Sequence, residues 1–288
     1  MRTLRYIISI AFLAAATFSM KAQTGAFLNV PSTARELAMG GVNAGADAEI
    51  VLDDQMIKAD VSYKMWSPGG VATNMINADV AYRLGKLAIF ADGGVNTYNP
   101  YVVYDGSGNE TGTYTPNEMA FAVGAGYKVI PGLGISVMAR YVGTNLAPEA
   151  KKAAFCADVN AAYQFRSLCI GVSGANIGSS ALPMLVEAGA RNTFSFGKTL
   201  KLGAGADVGF LTQGKNSAVT ASAGIDIKII EMISVMAGYH FSTNTSFEPS
   251  YVSAGLGVDI AMIKISAAYL TGNPYVGNTL GFSLGVAF

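Results

Sequence analysis

Charge is scarce in this sequence. Only 13% of its 288 residues are Asp, Glu, Lys or Arg, about half the share of an ordinary globular domain. Lys plus Arg equals Asp plus Glu at 19 each, which excludes the global basic field that draws nucleic acid. Long hydrophobic runs are missing as well. Beyond the N-terminus no stretch of about 18 apolar residues occurs, so spanning helices are excluded although 51% of the residues are hydrophobic. There is one histidine, His240, and no cluster with metal-ligand spacing. "GVNAGAD" and "GAGAD" are Gly-rich, but neither opens the strand–turn–helix unit that a nucleotide loop needs. No cofactor is expected.

The N-terminus, "MRTLRYIISIAFLAAATFSMKAQ", reads as a signal peptide over residues 1–22. Arg2 and Arg5 precede an apolar Ile7–Phe18 segment, and small Ala22 marks cleavage before Gln23. Cysteine is absent there, which argues against a lipid anchor. The mature chain is therefore expected to be exported.

What the chain has in abundance is alternation. From residue 59 to residue 288 apolar and small or polar residues take turns, the period-2 signature of strands. In "AAFCADVNAAYQF", Phe155, Ala157, Val159, Ala161, Tyr163 and Phe165 oppose Cys156, Asp158, Asn160 and Gln164. About fourteen such strands occur, most near the 9–11 residues a tilted strand needs to cross a bilayer. Very short connections, such as Gly85-Lys86 and Arg166-Ser167, alternate with mostly longer ones, such as 98–116 and 143–151. That arrangement predicts an all-β, transmembrane antiparallel β-barrel in the outer membrane. A soluble sandwich would also alternate, but its second face would carry more Lys and Glu than the Gly, Ala and Ser seen here. Aromatics flank the apolar strips: Tyr82, Tyr127, Tyr163, Phe165, Phe194 and Phe196 at one end, and Tyr98, Tyr141, Phe155, Phe210, Tyr239, Phe241 and Tyr269 at the other. Two interfacial girdles account for them.

On this register eight acids and eight bases of the strands point inward, which predicts a lumenal ion-pair network rather than a pore of one sign. The many small inward residues leave volume, and residues 23–58 are the candidate to fill it as a plug or hatch. There "STARELAMGG" predicts a short helix with Ser32 at its N-cap. A periplasmic tail is the alternative. Cys156 and Cys169 face inward on neighbouring strands, some eight residues apart along the sheet. At about 3.3 Å per residue that exceeds the separation of about 7 Å a disulfide can bridge, so two free thiols are expected. His240 also points inward, near the outer rim. No spacing singles out a serine partner for it, and no enzymatic activity is expected.

"AFLNVPSTARELAMGGVNAGADA", "MWSPGGVATNMINADVAYRLGKLAIFADGG", "ISVMAGYHF" and "AYLTGNPYVGNTLGFSLGVAF" together resemble outer-membrane proteins of the PorV/PorQ type. The resemblance implies a FadL-type barrel of fourteen strands with an N-terminal hatch. It implies two roles: a secretion-associated (type IX) interaction component at the cell surface, or a passive transporter of small hydrophobic compounds. For the first, the expected partners are secretion subunits or cargo at the longest loop, through Tyr101, Tyr104 and Tyr114. For the second, Phe90, Met138, Leu185 and Leu270 are the candidate lumenal apolar contacts. Phe288, ending the strand "GNTLGFSLGVAF", resembles the aromatic signal read by the barrel assembly machinery, a further expected partner beside the lipid itself.

Overall fold

A computed structural model describes residues 25–66, 72–197, 199–272 and 278–288. The stretch read as a signal peptide lies outside the described residues, as do parts of the 67–72 and 272–277 loops.

The alternation builds a closed antiparallel barrel. Strands β1 (Ile57–Trp66), β2 (Thr73–Leu84) and β3 (Leu87–Tyr98) are followed by a small hairpin, β4 (Tyr101–Tyr104) and β5 (Glu110–Tyr114). The wall resumes with β6 (Asn117–Ile130), β7 (Leu133–Asn145), β8 (Lys151–Phe165), β9 (Leu168–Ile177) and β10 (Met184–Phe196). It is completed by β11 (Leu200–Gln213), β12 (Asn216–Ile229), β13 (Ile233–Ser242), β14 (Tyr251–Ile260), β15 (Ile263–Gly272) and β16 (Asn278–Ala287). The hairpin stands apart as a two-stranded sheet, so the barrel has fourteen strands, and β1 pairs with β16 to close it. The β4–β5 hairpin falls inside the stretch that the sequence presents as one long loop. Closure leaves no unpaired edge, the condition for a sheet in lipid.

The apolar parity faces out. Phe155 is 75% exposed and Val123 64%, whereas their inward neighbours Cys156 and Ala122 are buried. Lipid rather than water suits such a surface. Among the described residues no helix is long and apolar enough to cross a membrane. One aromatic departs from its girdle. Tyr98 shares the inward parity of Phe90, Asp92 and Asn96, and its hydroxyl donates to Glu118 Oε2 at 2.7 Å. Strict period-2 counting from Leu87 places it there.

Residues 25–56 are not a tail but a body inside the barrel. A 3₁₀ turn (Ala26–Asn29) leads to helix α1 (Ala34–Ala38), then α2 (Ala46–Glu49). The N-cap of α1 is Thr33 rather than Ser32. Its hydroxyl accepts from Glu36 N while Glu36 Oε2 accepts from Thr33 N, a reciprocal box that needs a spacing of three. Ser32 instead offers its carbonyl to Ser62 and to the buried Lys64 ammonium. Helix α1 packs on β13–β16 and α2 on β6–β8.

The small inward residues are the seats of this hatch. A Cβ at Gly224 or Gly238 would overlap Met39 and Gly40 just beyond α1. At Gly134 and Gly171 it would overlap the carbonyls of Ala48 and Ala44. The hatch answers with its own glycines. Gly40 (φ 74°) and Gly45 (φ 76°) occupy left-handed backbone conformations, and a Cβ on Gly40 would stand 2.7 Å from Tyr239 N.

Candidate functional site

Between hatch and wall lies a cavity of about 920 Å³. It is lined by the hatch, from Phe27 to Asp54, by strands β1–β3 and β6–β14, and by the loop carrying Glu248. A volume of this size accommodates a small-molecule ligand.

Ion pairs bolt the hatch to the wall. Arg35 of α1 reaches Asp226 at 2.7 Å and Asp259 at 3.2 Å, and Lys228 shares Asp259. Arg191 of β10 binds Glu49 of α2 at 2.6 Å and the Ala44 carbonyl at 2.9 Å. Asp207 Oδ2 accepts from the amides of Asn43 and Ala44. Charge-assisted hydrogen bonds of this kind are the strong ones. In the wall itself Arg140 joins Asp158 and Asp92, and Asp158 Oδ1 accepts from the amide of Asn176. That bond closes a bulge where the β8–β9 register slips between Ala157 and Val159.

The expected balance of lumenal charge does not hold at the cavity. Eleven carboxyl side chains line it against four basic ones. The hatch supplies more than half of the excess, and the wall with the Glu248 loop supplies the rest. Most of the hatch's charged side chains at the cavity are acids, and counting strands alone misses them. Asp47 of α2 receives one hydrogen bond, from Asn160 Nδ2 at 3.2 Å. Burial, then the nearby Asp92 carboxylate, push its carboxyl up to about 6. Glu248, between β13 and β14, is pushed up to about 7 by burial, although Asn29 Nδ2 donates to it at 2.8 Å.

The four apolar candidates fall in three separate packing clusters. Phe90 and Met138 grip Val51 and Leu52 of the hatch. Leu270 packs on Leu37 and Ala38 of α1. Leu185 joins Leu211 and Phe247 elsewhere on the wall. Phe90, Met138 and Leu185 also touch the cavity.

Of the loop tyrosines, Tyr101 and Tyr114 are ring partners at 5.8 Å, and their hydroxyls donate to the carbonyls of Leu146 and Asn145. They fasten the β4–β5 hairpin to the neighbouring β7–β8 loop. Tyr104 projects, 58% exposed. Cys156 and Cys169 are free thiols. Phe288 sits at the closing seam, its carbonyl accepting from Met56 and Ile57 and its amide donating to Ile57.

His240 has a serine partner after all. Ser222 Oγ lies 2.9 Å from Nδ1, and the imidazole stacks on Tyr251 with centroids 5.0 Å apart. Glu248 Oε1 stands 3.7 Å from Nε2, beyond hydrogen-bond reach. Ser222 and His240 face each other across β12 and β13, a register pairing that only the assembled sheet reveals.

No family model and no curated protein matches the chain. Solved structures do. The toluene transporter TodX of Pseudomonas putida superposes with a TM-score of 0.62 at 11% identity, covering 90% of this chain and 99% of that one. A TodX mutant described as a monoaromatic hydrocarbon channel gives 0.55 at 10% identity over 89% and 97%. The outer membrane protein Omp33 of Acinetobacter baumannii gives 0.52 at 12% identity over 81% and 98%. At these identities the likeness is one of fold alone: a closed antiparallel β-barrel of the outer-membrane kind. The fold and its lipid-facing surface place the chain in the outer membrane.

Proposed function

We propose that this barrel is a FadL-like passive transporter, carrying small molecules with an apolar part across the outer membrane. The observation that carries the reading is the cavity of about 920 Å³ between hatch and wall. Phe90, Met138 and Leu185 supply apolar contact on its surface, and polar side chains surround them. A few convergent polar groups in a ligand-sized cavity are what a small-molecule site presents. The fold likeness to a toluene transporter supports the same reading. Uptake of a small aromatic compound into liposomes tests it. Flux should exceed that of protein-free liposomes and fall when Met138→Trp fills the cavity. Equal flux with and without the barrel would refute it.

One observation favours a second reading, that of a PorV/PorQ-type accessory of type IX secretion. The β4–β5 hairpin is a separate sheet from the barrel wall and carries the exposed Tyr104, and exposed tyrosines commonly anchor partners. Affinity purification of the tagged wild type against Tyr104→Ala tests it. A secretion subunit or cargo lost only in the variant supports this reading, and recovery of general assembly factors alone argues against it.

A further inference from the structure

Every base at the cavity is already spent. Arg35 is held by Asp226 and Asp259, Lys58 by Asp53, Arg140 by Asp92 and Asp158, and Arg191 by Glu49. Seven lining carboxyls remain with no lysine or arginine in ion-pair contact among the described residues, Glu248 having only His240 at 3.7 Å. Glu36, Asp47 and Asp54 lie on the hatch, Asp79, Glu187 and Asp207 on the wall, and Glu248 in its loop.

Two of these stand in costly surroundings. Asp79 of β2 is directly opposite Asp60 on one side and Asp92 on the other, three acids in one row of the sheet. Like charges directly opposite are destabilising. Lys264, across Gly285, flanks the Asp60 end of the row and Arg140, across Ala122, the Asp92 end, which leaves Asp79 in the middle with an acid on either side. Asp207 is 4% exposed, and its Oδ1 has no hydrogen-bond partner. It sits over Gly189, between Glu187 and Arg191 on the inner face of β10. A buried carboxylate oxygen without a partner calls for a positive charge or a proton.

The carboxyls are spread around the cavity, and among the described residues no group of three or more metal-ligating side chains is close enough to hold a metal ion. Their effect is therefore a field across the lumen rather than coordination of a bare ion. Low-dielectric walls focus such a field on whatever enters. We propose that the lumen selects cations: hydrated alkali ions and small organic ammonium ions pass or bind in preference to anions of equal size. This inference rests on the transporter reading and names the charge of its solutes.

Reversal potentials of the full-length barrel in planar bilayers under a potassium chloride gradient test it. The cation-to-anion permeability ratio should be well above one. It should fall as the salt concentration rises, because screening shortens the reach of the field. Asp79→Asn and Glu187→Gln, nearly isosteric and on separate strands, should each move the ratio toward one. Insertion of each variant is verified by the appearance of channels. A ratio at or below one, or a ratio untouched by both substitutions, overturns the inference. So does ion impermeability while a neutral solute still enters liposomes, a result that leaves the transporter reading standing. Passage of neither ions nor neutral solute overturns both.

Discussion

Gly171 of β9 lies flat against Ala44 of the hatch, so close that a Cβ on the glycine would overlap the Ala44 carbonyl oxygen. Backbone meets backbone there, and no rotamer change can make room. The same contact is tied from the hatch side, where Gly45 N donates to Ser173 Oγ at 2.7 Å. The seat of α2 is thus set by a residue with no side chain.

Gly171→Val should unseat α2 without opening the barrel. Overpacking of this kind costs about 1–3 kcal/mol. Hydrogen exchange of residues 44–52 should quicken, while the amides of β12–β14 keep their protection. Unchanged exchange over 44–52 would show that the wall yields instead.

Arg35 is the corresponding bolt for α1. Arg35→Met leaves Asp259 with Lys228 and takes from Asp226 its ion-pair partner. Hydrogen bonds to charged groups contribute about 1.5–3 kcal/mol. The arginine side chain is 32% exposed, so screening lowers the expected loss to about 1–2 kcal/mol. A double-mutant cycle with Asp226→Asn should give a coupling energy of that size for hatch release, and additive effects would exclude the pair as a bolt.

Asp47 gives the hatch a pH dependence whose sign is fixed. Its carboxyl faces Asp92, Asp158, Arg140, Glu36 and Asn160, and it titrates near pH 6, above the ordinary value of 3.8. Between those values the folded hatch holds a proton that the released segment has lost. The stabilisation from this group is complete below pH 3.8 and disappears as pH rises through 6. Wild-type α2 should therefore exchange faster at pH 8 than its Asp47→Asn counterpart, with the difference shrinking toward pH 4.5. Intrinsic exchange rates must be divided out at each pH. A constant difference across that range would contradict the assignment.

Much of the barrel is legible in the chain because parity is local. The Phe155-to-Phe165 stretch declares which face meets lipid, and the register observed for β8 and β9, with Gln164 opposite Cys169, follows from a turn at Arg166-Ser167. Parity also predicts Tyr98 facing inward, and grouping it with the rim aromatics overrode that rule. Other features depend on contacts between distant segments. Ser222, His240 and Glu248 meet only because β12, β13 and the loop beyond it converge. The full acidity of the cavity emerges when hatch residues such as Asp47 and Asp54 are placed beside the wall. The β4–β5 hairpin is hidden by "YDGSGNE", whose turn chemistry resembles an open loop. Thr33 outcompetes Ser32 as a cap because Glu36 stands three residues from it, not four.

A hatch that occupies the lumen of a transporting barrel should govern what passes. The most direct test is solute uptake by liposomes carrying either the wild type or a variant lacking residues 26–50, with insertion of both verified. The wild type should show measurable uptake with a size limit, and the variant faster uptake with a larger limit. Uptake that is absent from both, or identical in both, would contradict this reading.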